Sequence, residues 1–459
     1  MRKIAVIPID NRPVCYDLVK MTAALDLNNQ IFLPPISMLG DLKSPADIDG
    51  ILNFLENLQE TDIIIISLDT IAYGGLIPSR RSNNSFEEIK SRIDKLFKIL
   101  SDKKAKIYAF SSIMRISNNN INEEEKEYWN KYGKQIFEYS YNLHKSELTG
   151  ETVSASIPNE ILKDYLETRK RNFEINKYYI ELKNKGLIDT LVFSKDDCAK
   201  FGINVKEAQE LEKLAQNSKN IFIKTGADEI PLSLLSRAVN KEKNIKIAPV
   251  FLCPQSIQKI SKYEDISVEA SVKSQIELAG GIISNQKDCD LVLYINNFRN
   301  EQGELVMDIY EPPFSGKLEL INKPCFFADI LNANGSDNNF AKQILSLVNT
   351  DNFYGYAAWN TTGNTLGSAI SAALTYFKAE NKNKNAFIDL QIIRFLDDMA
   401  YQANVRKEIR SNPKNLSNNE LKKQMQVFEP LIFYAFNKAC TDVQYSFPWN
   451  RFFEIRIKL

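Results

Sequence analysis

Short runs of apolar, mostly β-branched residues alternate along the chain with longer stretches whose apolar positions recur at helical spacing. The short runs are KIAVIPI (3–9), QIFLP (30–34), DIIIISL (62–68), KIYAFSS (106–112), DTLVFS (189–194), NIFIKT (220–225), KIAPVFL (246–252), DLVLYIN (290–296), PCFFADI (324–330) and FYGYAAW (353–359). Most are continuously apolar rather than alternating, as strands covered on both faces are. Between them lie amphipathic segments such as SFEEIKSRIDKLFKIL (85–100), NEILKDYLETRKRNFEINKYYIELKNKG (159–186) and VKEAQELEKLAQNS (205–218). The alternation predicts an α/β fold of parallel strands and helices, either (β/α) barrel-like or doubly wound sheets. From residue 386 the pattern is helical (AFIDLQIIRFLDDMAYQANVRKEIR), and the alternating tail RFFEIRIKL predicts a short edge strand. The expected organisation is therefore an α/β catalytic region over 1–385 and a helical C-terminal extension with a final strand over 386–459. The polar, Asn- and Glu-rich stretch 116–150 has no strand pattern and reads as an excursion or lid.

A chain of 459 residues exceeds one ordinary globular core. Lys plus Arg and Asp plus Glu both total 58, so the balance gives no bulk attraction to nucleic acid or to an anionic membrane. No apolar run approaches the roughly 18 residues of a membrane helix. The opening MRKIAVIPIDNRPV is cut by Asp10 and Pro13 before a signal-peptide core can form, which makes a cytoplasmic protein the expectation. The oligomeric state is left open. Cys15, Cys198, Cys253, Cys289, Cys325 and Cys440 stand singly, and such spacing suits reduced, mostly buried thiols rather than zinc sites or a disulfide framework. His144 is the only histidine, which excludes mechanisms needing two and leaves the chemistry to carboxylates, amides, Arg, Tyr or Lys.

In parallel α/β folds ligands bind at the carboxyl ends of strands, so the residues just past each apolar run are the informative ones. They are Asp10, Asn11 and Arg12 after the first run, and Asp69 and Tyr73 after the third, with Ser79-Arg80-Arg81 beyond. Arg115 follows the fourth, Asp196-Asp197 the fifth and Asp228-Glu229 the sixth, while Asn296-Asn297 end the eighth. Asp329 ends the ninth, and Trp359, Asn360 and Asn364 follow the last. Any one of these can simply cap a helix, but capping does not favour paired carboxylates beside arginines. Two adjacent carboxylates repel, so one keeps its proton to higher pH and can act as an acid. Asp397-Asp398 falls inside a helical pattern, with Arg394 four residues before Asp398, and reads as a solvated, ion-paired face. WNTTGNTLG fits a strand end, turn and helix start able to hold an anion or hydroxyl, and Trp359 offers either a sugar-stacking wall or a core side chain. Neither nucleotide-binding glycine motif occurs. Lys195 and Lys224 lack a context that demands Schiff-base chemistry.

The phrases PIDNRPV, SLDTIAYGGLIPSR, IPNEILKDYLETRKRN, FSKDD, TGADE, YEDISVEASVKSQIELAGG, DILNANGSD, AAWNTTGNTLG and RFLDDMAYQANVR occur in this order over residues 1–410. Together they resemble a bacterial family known as domain of unknown function 4127, a resemblance that carries no activity with it. The chain departs from that family's pattern at Lys195, where relatives more often carry Gln. A narrower similarity is to retaining β-N-acetylhexosaminidases, which set two adjacent acids at a strand end, one orienting the substrate acetamido group and one donating a proton. That similarity implies a glycoside hydrolase-like enzyme acting on a small sugar or amino-sugar derivative. Asp196 would orient, Asp197 would protonate, and the remaining strand-end residues would bind substrate. No cofactor is predicted. Two alternatives stay open: a hydrolase or lyase using the same carboxylates around Mg²⁺ or Mn²⁺, and a non-catalytic binder of sugars or peptidoglycan fragments.

Overall fold

In the computed structural model of the chain, which describes residues 1–150, 156–240, 243–411, 417–440 and 442–459, each of the apolar runs becomes a strand. β1 (Arg2–Ile7), β2 (Asn29–Phe32), β3 (Ile63–Ser67), β4 (Lys106–Ile113), β5 (Thr190–Lys195) and β6 (Ile221–Thr225) form one sheet in the order β2-β1-β3-β4-β5-β6. The pairs β1–β3, β3–β4, β4–β5 and β5–β6 are all parallel. A second sheet uses β7 (Lys246–Phe251), β8 (Ile282–Ile283) and β9 (Leu291–Asn296). After the short β10 (Gly303–Glu304) it takes in β11 (Cys325–Asp329), and after the short β12 (Asn332–Ala333) it takes in β13 (Phe353–Ala357). Its order is β13-β11-β9-β7-β8, again with parallel pairs.

Both sheets follow one rule: the second strand lies on one side of the first, and every later strand is added on the other side. A (β/α) barrel adds each strand on the same side until the sheet closes. Of the two architectures left open by the sequence, the barrel is therefore the wrong one, and among the described residues neither sheet closes. The reversal creates a switch point between β1 and β3 and another between β7 and β9, the places where open α/β sheets bind ligands.

The chain divides into two compact units. One comprises Met1–Asn11, Gln30–Pro231 and Tyr263–Asp265, and the other Arg12–Asn29, Leu232–Lys262 and Ile266–Leu459. In the second unit the continuous apolar strands do cover both faces. Phe326 and Ala328 join a core with Val272 and Ile276 of the helix Val268–Leu278 and with Leu366 and Ile370 of the helix Thr362–Phe377. Phe327 points the other way and meets Phe340 of the helix Asn338–Leu345 at 6.2 Å between ring centres. In the first unit the amphipathic reading of 85–100 forms the helix Phe86–Ser101, started by a reciprocal Ser85–Glu88 capping box, and it buries Ile89, Ile93, Leu96, Phe97 and Leu100.

The C-terminal region is helical, as the periodicity predicts, and the tail forms β15 (Arg456–Lys458), antiparallel to β14 (Gln444–Ser446). The six cysteines lie outside any disulfide, five of them buried and Cys440 exposed. No helix among the described residues is long and apolar enough to cross a membrane.

Candidate active site at the carboxyl edge of the first sheet

Because β1 and β3–β6 run parallel, the segments that leave their carboxyl ends share one edge. Asp10 and Asn11 follow β1, Asp69 follows β3, Arg115 follows β4, Asp196 and Asp197 follow β5, and Asp228 and Glu229 follow β6. Asp10 and Asp69 flank the switch point. The loop after β1 is tied to the helix Leu68–Tyr73 by Thr70, whose hydroxyl donates to the Pro8 carbonyl at 2.7 Å. That helix is capped by Ser67 and ends at Gly74, which has φ +91° and a position where an added Cβ would lie 2.5 Å from Pro45 Cβ. The sharp turn admits the helix Leu76–Arg81 and with it Arg80.

Arg80 is the hub of the edge. Its side chain is 1% exposed and reaches Glu125 at 3.2 Å, Glu124 at 3.4 Å and Asp196 at 3.2 Å. Arg115 adds a second fork, to Glu124 at 2.7 Å, Glu125 at 3.3 Å, Asp197 at 3.0 Å and Asp196 at 3.5 Å. Two guanidiniums thus hold four carboxylates. The surrounding anions, Glu124 foremost, outweigh the cost of burying Arg115 and hold its proton more firmly than usual. Asp197 has the opposite bias: burial and the charge of Asp196 push its carboxyl up to about 7, against the pull of Arg115 and Arg80. Its backbone is left-handed, φ +43°, a conformation that costs energy in a residue with a Cβ.

Asp69 is buried, and burial raises its carboxyl to about 6. Its oxygens accept from Ser111 Oγ at 2.9 Å and from the Ser112 N–H at 2.8 Å, so it fastens the end of β3 to that of β4. Tyr73 is buried with Arg171 5.4 Å from its ring centre. Asp228 and Glu229 are buried immediately before the helix Ile230–Asn240. Lys195 is committed to Asp265, at 2.6 and 2.8 Å, and that partner overcomes burial to keep it charged.

The structure thus brings Arg115, Asp196 and Asp197 into one network with Arg80, which the sequence placed beyond the third strand without a role, and with Glu124 and Glu125, which were not among the candidates. Arg80 stands in the SRR phrase after the glycine pair, and the glutamates lie in the acidic run of the 116–150 stretch. The same stretch continues into the helix Trp129–Thr149, whose Trp129 and Ile136 share a small apolar cluster with Met114, Ile157 and Tyr165. His144 lies on this helix, buried edge-on to Phe201, and its Nδ1 accepts from the Gly202 N–H at 3.2 Å. His144→Ala should therefore leave turnover within about threefold while costing about 1–3 kcal/mol of stability for the orphaned N–H, measured by denaturant melts alongside rates.

Arg12, Asp329, Trp359, Asn360 and Asn364 belong to the second unit. Arg12 lies 5.2 Å from the ring centre of Trp449. Asp329 is buried and receives the Asn296 amide at 2.9 Å and the Asp337 N–H at 2.7 Å, which makes it an organiser of the loops beyond β9 and β11. Trp359 is 2% exposed and meets Phe453 edge-on, a core side chain rather than an open stacking wall. Asn360 takes the left-handed conformation at φ +58°, and Asn364 donates to the N-cap Thr361 at 3.1 Å. Asp397 and Asp398 pair with Arg394, at 2.9 and 3.2 Å, but the expectation of a solvated face is corrected: all three are buried. The reason is that Asp398 also accepts the Ala358 N–H at 2.6 Å and so braces the end of β13 from inside. At the switch point of this sheet a cavity of about 310 Å³ is lined by Cys253, Asn296, Asn297, Arg299, Glu311 and Phe314 among others. Of these the sequence singled out only the two asparagines. Asn297 spends its amide bridging to the Cys253 backbone, its Oδ1 accepting at 3.0 Å and its Nδ2 donating at 2.8 Å.

Among the described residues no three of His, Cys, Asp or Glu form a group fit to hold a metal ion. No curated protein and no solved structure matches the chain. One family model does match, over residues 4–458, and the chain belongs to that family, described as "Protein of unknown function (DUF4127)".

Proposed function

We propose that the chain is a glycoside hydrolase-like enzyme acting on a small sugar or amino-sugar derivative at the carboxyl edge of the first sheet. One observation carries the reading: Asp197, its carboxyl pushed up to about 7 by burial and by Asp196, stands beside Asp196, which is held between Arg80 and Arg115. A carboxyl that keeps its proton to neutral pH beside a second carboxyl can serve as the acid. Asp197, with 29% of its side chain exposed, donates the proton to the leaving oxygen. Asp196, held by Arg80 and Arg115, orients the substrate's own nucleophilic group. Asp10, Asn11 and Asp228 bind hydroxyls from the same edge, and Asp69 and Tyr73 support that edge from below.

The test is a panel of aryl glycosides and aryl N-acetylhexosaminides, followed across pH with and without EDTA. The proposal expects turnover of at least one member, a bell-shaped rate profile whose basic limb falls near pH 7, and no loss with EDTA. Loss with EDTA and rescue by Mg²⁺ or Mn²⁺ would move the carboxylates to the divalent-cation alternative, which must free them from the two arginines. Saturable binding of these compounds without turnover would make the chain a sugar-binding protein and end the enzymatic reading.

A further inference from the structure

The second unit holds a cluster of cations that the proposed chemistry does not use. A π-helix, Phe395–Val405, ends at Arg406, and the helix Arg406–Ser411 carries Lys407 and Arg410. These three side chains, with Leu305, Asp308 and Tyr310 opposite, surround a cavity of about 270 Å³. The wide turn of a π-helix is uncommon and recurs at functional sites. Here the loop after β12 lies flush against it: a Cβ added at Gly335, φ +138°, would sit 2.9 Å from the Ala403 nitrogen.

The charges around the cavity do not cancel. Lys407 is neutralised by Asp308 at 2.6 Å and also meets the Tyr310 hydroxyl at 2.8 Å. Arg406 is only 7% exposed, yet its guanidinium finds neutral partners: Gln402 Oε1 at 2.7 Å and Asn334 Oδ1 at 3.4 Å. Its Nε–H is buried without an acceptor. Phe453 covers it, 5.2 Å away. Arg410 donates to the Val306 carbonyl at 3.4 Å. Among the described residues no carboxylate forms an ion pair with Arg406 or Arg410. The fields of two buried acids reach Arg406, but Glu304 is engaged by the Asn334 amide at 2.5 Å and Asp397 by Arg394 at 2.9 Å. Burial and the neighbouring Arg410 bring Arg406 down to about 10, which leaves it cationic at neutral pH. A buried guanidinium without a counter-charge is costly unless something supplies one.

We propose that this cavity binds a small molecule through an oxyanion group, a phosphate or a carboxylate, seated against Arg406 and Arg410. Such a group supplies the missing acceptors and the missing charge together. The cavity is larger than the anion alone, and Leu305 and the Tyr310 ring give its organic part an apolar wall.

Calorimetric titration of the full chain with inorganic phosphate, and separately with acetate, tests the site. The proposal expects one saturable site for at least one anion, and the tighter anion identifies the group. Arg410→Ala, on the exposed rim, should weaken that binding roughly tenfold or more with an unchanged ligand-free melting temperature. Arg406→Gln should abolish it. Lys213→Ala, a surface cation of the first unit, should leave it unchanged. Non-saturating heats with both anions, or an affinity unaltered by Arg410→Ala, would overturn the proposal. Because Arg410 folds on the rim, the result stands even if Arg406→Gln proves unstable.

Discussion

Asp197→Asn should slow hydrolysis of a substrate with a poor leaving group by about 10²–10⁴-fold, the usual worth of a positioned general acid. A nitrophenyl leaving group needs little protonation, so the same variant should lose far less on it. Asp196→Asn should slow both substrates, because an orienting anion acts before the leaving group departs. Stability gives an independent readout with a definite sign. The carboxyl of Asp197 rises from an ordinary unfolded value to about 7 in the fold. Its contribution to stability is therefore fully present below about pH 4 and is lost as pH rises through 7. Asn carries no such penalty, so the melting temperature of Asp197→Asn relative to the parent should be higher at pH 8 than at pH 5. A carboxylate that only caps a chain turn predicts the reverse, a loss of about 0.5–2 kcal/mol with normal turnover by the folded fraction. Melting and turnover measured together on both variants separate the accounts. Normal specific activity in a destabilised protein would end the catalytic assignment.

The strands were legible because burial on both faces leaves little choice of residue. DIIIISL and DLVLYIN can satisfy such positions only as continuous apolar runs, and they do so as β3 and β9. The order in which strands pair leaves no comparable mark, so the choice between barrel and open sheet had to come from the pairings themselves. The carboxylate half of the site was legible for a related reason: acids immediately after buried strands have few places to go except the carboxyl edge. Its cationic half was less so. Arg80 sits two short helices beyond β3 and reaches the edge only because the left-handed glycines at 74 and 75 fold the chain back. Glu124 and Glu125 lie in a polar stretch whose composition is that of a solvated loop, and it is Arg80 and Arg115 that draw them inward. Asp397 and Asp398 were misplaced for the converse reason. Spacing shows that Arg394 can pair with them, but whether that face meets water depends on what packs over it, here the end of β13.

Arg80→Met should cost about 3–5 kcal/mol at neutral pH, the penalty for removing one partner of a buried ionic network. Methionine can fill the space of the arginine stem, so the loss isolates the guanidinium. Without it four carboxylates face Arg115 alone, and Glu125, whose side chain is 4% exposed, has little water to turn to. Both Asp69 and Asp197 are held down by Arg80, so in its absence their pKa values rise further. Raised carboxyls favour the fold at low pH and oppose it as pH climbs through their values. The melting-temperature deficit of Arg80→Met should therefore be large at pH 8 and shrink at pH 5, where protons take over the neutralising role. A packing defect would give the same deficit at both. The rate profile should respond as well: an acid that keeps its proton longer moves the basic limb to higher pH, even where the maximal rate falls. Arg80→Lys should recover part of the stability and little of the geometry, since a single ammonium cannot fork between Glu124, Glu125 and Asp196. A deficit independent of pH, with the basic limb unmoved, would show that Arg80 packs the edge without setting its charge.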